Sequence, residues 1–128
     1  IVDGVTIVDK ETLFKEADIV TIHIALNDET RDFVTAKELA LMKRSSIIVN
    51  AARGPIVNAQ DLSDALKEGR ISGAALDVYD VEPPLDSNNP MLDAPNTVLL
   101  PHIGFATKEA FEIRLGIVVN NVEQFCKQ

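Results

Sequence analysis

The chain has 128 residues, 46% of them hydrophobic and 25% charged, the balance of a soluble globular protein with one modest core. Twelve basic against twenty acidic residues give a net charge of −8, and the basic residues are scattered, which argues against nucleic acid or an anionic membrane as a partner. The single cysteine, Cys126, excludes a disulfide within the chain and fits a reducing, cytoplasmic setting, and no apolar run reaches the length of a membrane span.

The first residues, "IVDGVTIVDKE", lack the basic start and long apolar stretch of a signal peptide. They also lack an initiator methionine and begin in mid-pattern, so the chain is expected to be a fragment of a longer protein; a processed chain would look the same. Residues 5–8 read as a strand and residues 11–16 as a short helix. Residues 19–24, "IVTIHI", form the next strand. Thr35 and Glu38 make a capping box ahead of "LALMK". A strand at 46–50 follows, then a helix, "AQDLSDALKEG", with Asn58 as its cap and Gly69 at its end. Residues 73–78 and 97–100 are the last strands. Between them, residues 79–96 carry "EPP", "NNP" and "AP" and read as a long ordered loop. From Thr107, Phe111, Leu115, Val118, Val122 and Phe125 recur at steps of four and three, one stripe of a long amphipathic helix.

Several strands are almost continuously apolar, a pattern expected of parallel strands buried on both faces. Strands alternating with helices imply βαβ units with right-handed crossovers. In such sheets, ligands bind beyond the carboxyl ends of the strands. The residues at those ends are His23, residues 50–54, Asp77 and His102, with Glu82 just past Asp77. Taken singly, each has an ordinary explanation. A histidine at a strand end is usually a satisfied loop residue, Arg53 can offset an acidic surface, Asp77 can cap a turn, and Glu82 can be solvated. Together, an imidazole, a guanidinium and carboxylates on one rim point to a catalytic site.

These residues also lie in segments that resemble a known family. "NAARGPIVN", "GAALDVYDVEPP" and "LPHIGFATKEA" are similar to signature segments of the D-isomer-specific 2-hydroxyacid dehydrogenases, which include phosphoglycerate, glycerate and D-lactate dehydrogenases. "IHIALNDETRDFV" resembles a further segment, with Ala25 where the family usually has proline. The resemblance implies hydride transfer between NAD or NADP and a small 2-oxo or 2-hydroxy acid. Arg53 matches the arginine that grips the substrate carboxylate and carbonyl, a task suited to a planar guanidinium. His102 matches the acid/base, whose pKa lies near operating pH. Glu82 matches the carboxylate that orients this imidazole. Asp77 resembles the residue that holds the nicotinamide carboxamide, and His23, Ala51, Ala52 and Gly104 fall where the family lines the cofactor cleft beside Arg53 and His102.

The six glycines cannot be assembled into a G-x-G-x-x-G, the loop that places a pyrophosphate on a helix N-terminus. In the family that loop, the ribose-holding acid and most of the substrate domain lie upstream of the matched segments. The implied fold is therefore α/β: a partial Rossmann-type, doubly wound parallel sheet of about five strands with a long C-terminal helix. The isolated chain is expected to be inactive. It is also expected to form a homodimer or larger assembly, because "IVTIHI" would be left as an open edge. Two non-catalytic alternatives are an inactive module that has inherited the motifs and a receiver-like domain. A receiver needs a carboxylate cluster for Mg²⁺ and an acceptor aspartate; here the first strand ends in Asp9 alone and the middle strand ends in residues 50–53, without an acceptor.

Overall fold

The structure, a computed structural model, describes residues 4–127. Helix α1 spans Lys10–Glu16 and starts at Asp9, whose carboxylate accepts from the Thr12 N–H at 2.7 Å. Strand β1 spans Ile19–Ile22, α2 Ala36–Leu41, β2 Ile47–Asn50, α3 Ala59–Lys67, β3 Gly73–Leu76, β4 Thr97–Leu99 and α4 Lys108–Cys126. The four strands are parallel in the order β1-β2-β3-β4. Right-handed crossovers lay successive strands down side by side in this way.

The predicted caps are present. Thr35 and Glu38 form the capping box of α2, Asn58 accepts from the Asp61 N–H at 3.1 Å at the start of α3, and Gly69 follows α3 at φ 64°. The long loop is ordered through a short 3₁₀ turn, Pro90–Asp93, whose Met91 is fully buried. The Ser63 hydroxyl donates to the Pro90 carbonyl at 2.8 Å and ties this turn to α3.

Three expectations need correction. Residues 5–8 are irregular rather than a strand, and Ile7 is 84% exposed. Among the described residues no strand lies alongside to pair their backbone groups, and the chain runs straight into the Asp9 cap. The described sheet therefore has four strands, not about five. Burial also alternates along β1 and β2 instead of being continuous. Val20, Ile22, Ile48 and Leu76 turn toward Phe14, Leu39, Leu62 and Leu66 in the core on the helical side. On the other face Ile19, Ile47 and Val98 are exposed.

Helix α4 begins where expected, with Thr107 accepting from the Ala110 N–H at 3.1 Å. None of its residues is buried. Among the described residues, no helix is long and apolar enough to cross a membrane.

Candidate active site

Each parallel strand delivers its last residues to the same rim. β2 ends in Asn50, only 1% exposed. Its side-chain amide donates to the Arg53 carbonyl at 2.9 Å, and its side-chain oxygen accepts from the Ala52 N–H at 3.1 Å. One buried amide thus shapes the turn that presents Arg53. Gly54 then passes tightly under the exit of β3. A Cβ there would lie 2.0 Å from the Tyr79 carbonyl carbon and 2.5 Å from the Asp80 nitrogen, so only glycine fits.

Arg53 is exposed and its guanidinium donates to the Ala52 carbonyl at 2.6 Å. It shares an open cleft of about 500 Å³ with His23, Ile24, Ala25, Leu26, Ala51 and Ala52. His23 is exposed, and its Nε2 shares a 2.9 Å hydrogen bond with the Thr21 hydroxyl. The backbone at Ala25 is fixed by the Thr30 hydroxyl, which donates to its carbonyl at 2.7 Å.

A second cleft, about 640 Å³, lies beyond β3 and β4 and is mostly apolar. Glu82 and His102 meet there: the imidazole Nδ1–H donates to Glu82 Oε1 at 3.0 Å. This leaves Nε2 as the ring atom available to a ligand. His102 has φ 54°, left-handed backbone in which histidine is several-fold enriched among non-glycine residues. The Phe105 ring meets the imidazole edge-on, with centroids 6.2 Å apart.

Asp77, nearly buried, accepts from the Ile103 N–H at 2.8 Å and the Gly104 N–H at 2.7 Å. The Tyr79 hydroxyl donates to the Leu100 carbonyl at 3.0 Å. Burial raises the Tyr79 pKa, and the negative charges of Asp77 and Glu82 add to the rise. The phenol therefore stays neutral and keeps its donor. Burial likewise raises Asp80, with repulsion from Asp32 adding to it.

The expected residues thus form three groups: Glu82 with His102, Asp77 with Gly104, and His23, Ala51 and Ala52 with Arg53. Among the described residues, no hydrogen bond joins Arg53 to His102. The sequence reading did not assign the bracing roles of Asn50, Gly54, Tyr79 and Phe105. An asparagine inside the apolar run "IIVNA" was the available signal for the first, since a buried amide needs partners.

The family model described as "D-isomer specific 2-hydroxyacid dehydrogenase, NAD binding domain" matches residues 2–104. The chain belongs to this family. It has the Rossmann-like fold of that family's NAD-binding domain, and the receiver-like alternative is not favoured. A D-2-hydroxyacid dehydrogenase relative, the glycerate dehydrogenase of Methylorubrum extorquens, is 42% identical over 93% of this chain, but the match spans only 38% of that enzyme. The D-lactate dehydrogenase of a Sporolactobacillus species superposes with a TM-score of 0.92 at 36% identity, covering 98% of this chain and 42% of that one. An acyclic imino acid reductase solved with NADPH and D-Arg gives 0.87 at 34% identity, covering 99% and 40%. The chain thus spans well under half the length of the relatives it matches.

Proposed function

We propose that this chain supplies the nicotinamide-side half of the active site of a dehydrogenase for small 2-oxo or 2-hydroxy acids. The phosphate-binding half and most of the substrate domain come from polypeptide outside these 128 residues. The observation that carries the reading is the Glu82–His102 pair, 3.0 Å apart at the ends of parallel strands. The residues present fit a nicotinamide. Ala51 and Ala52 keep the first cleft uncrowded, and the Asp77 carboxylate, with about four lone-pair sites, has acceptor capacity left for a carboxamide after its two amide bonds.

Bound NADH or NADPH supplies the hydride. Arg53 binds the substrate carboxylate and polarises the carbonyl oxygen. Its guanidinium has about five N–H donors, and the described bond to Ala52 uses one of them. His102 delivers the proton from Nε2 to the carbonyl oxygen as carbon is reduced, and takes it back in the oxidative direction. Glu82 fixes the ring so that Nε2 faces the cleft, and its charge stabilises the imidazolium.

Arg53→Lys tests the substrate-binding role. In the active dehydrogenase containing this segment, it replaces a two-point grip with a point charge. KM for the acid is expected to rise and kcat to fall together. A KM within about twofold of wild type would contradict the assignment.

A further inference from the structure

Three residues on the exit segment of β3 hold the loop that carries His102. The Tyr79 hydroxyl takes the Leu100 carbonyl before it, Glu82 takes the imidazole itself, and Asp77 takes the amides of Ile103 and Gly104 after it. The contact after His102 is of a particular kind. Successive backbone N–H groups converging on one anion form a nest, and here the anion is the protein's own Asp77, 7% exposed. It sits directly behind a residue at φ 54°. Left-handed backbone is unfavourable for a residue with a Cβ, so the conformation at His102 needs an external hold. Gly104 leaves room for one: a Cβ there would lie 2.8 Å from Asp77 Oδ2.

We propose that Asp77 is a positioning residue for His102, a role separate from any contact with the cofactor. It rests on the reading of His102 as the proton donor. The carboxylate locks the two amides that follow, the locked amides fix the left-handed turn, and the turn aims the imidazole at Glu82 on one side and the cleft on the other. Charge-assisted hydrogen bonds are the stronger kind, and both carboxylate oxygens are needed. An asparagine would accept one amide but turn its own N–H₂ donor against the other.

The test is amide hydrogen exchange on the 128-residue chain without cofactor, together with the ¹⁵N signals of the His102 ring. In the wild-type chain, the Ile103 and Gly104 amides are expected to be protected and the ring to be held as the Nδ1–H tautomer. Asp77→Asn should speed exchange at one or both amides by roughly tenfold or more and mix the ring tautomers, while Ile48 and Val49 in β2 keep their protection. Gly104→Ala, which leaves the Asp77 charge in place, should do the same and serves if Asp77→Asn loosens β2 as well. A role confined to the cofactor predicts no change at either amide in its absence, and that result would overturn the proposal. So would free-loop exchange at Ile103 and Gly104 in the wild-type chain, which needs no variant. Neither result bears on whether His102 transfers the proton.

Discussion

Glu38 is a carboxylate held in the seam between α1 and α2. It closes the capping box of α2 through the Thr35 N–H and hydroxyl, at 3.0 and 2.8 Å, and pairs with the Lys10 ammonium at 2.9 Å. Lys10 also donates to the Phe33 carbonyl and lies over the Phe33 ring. Burial pushes the Glu38 carboxyl up, but Lys10 and the Thr35 donors outweigh it and bring its pKa to about 2. A folded pKa below the unfolded value means stabilisation that is complete above the ordinary carboxylate range and is lost as pH falls toward 2. Glu38→Gln is therefore expected to cost about 1–2 kcal/mol at pH 7 and to lose less stability than wild type between pH 7 and pH 3. Urea unfolding at the two pH values measures both. An unchanged loss would assign the acid sensitivity elsewhere. The same scale shows what a sequence conveys about a site. His102 and Asp77 stand out as candidates because ionisable groups follow closely on apolar strands, and Glu82 lies on the loop beyond Asp77. The work of Tyr79 and Gly54 was hidden, because each meets backbone that only the fold brings near, whereas Asn50 acts within its own turn.

At the scale of elements, periodicity located α3, α4 and the four paired strands, and it misjudged residues 5–8. Four alternating or apolar residues look the same whether or not a neighbour exists to pair them. The same gap explains the burial of the sheet. "IVTIHI" reads as buried on both sides, yet Ile19 is 62% exposed and β1 is an edge strand. Helix α4 shows the stripe Phe111, Leu115, Val118, Val122 and Phe125, and every member is more than half exposed. An unpaired edge, a bare apolar sheet face and an uncovered apolar helix together lead to the expectation that the isolated chain self-associates. Sedimentation at micromolar concentration should give a mass at least twice the 14.0 kDa of one chain, and Ile19→Lys with Leu115→Lys should lower it. A clean monomer for the wild-type chain would refute this.

For the whole molecule, the fold places the Glu82–His102 pair and Arg53 on separate loops, and the proposed function makes them the proton donor with its orienting carboxylate and the carboxylate-binding arginine. On that reading these residues supply only the nicotinamide side of the active site. Orientation of a substrate and exclusion of water need the opposite wall, so the isolated chain is expected to bind NADH weakly or not at all and to reduce neither glyoxylate, hydroxypyruvate nor pyruvate. Calorimetry and a turnover scan measure this; micromolar binding with turnover would show that these 128 residues suffice. The central claim, that His102 held by Glu82 moves the proton during hydride transfer, is tested most directly by His102→Gln in the complete dehydrogenase carrying this segment. The pair predicts a fall in kcat by a factor of roughly 10² to 10⁴ with a much smaller change in KM. A kcat within a few-fold of wild type would contradict it.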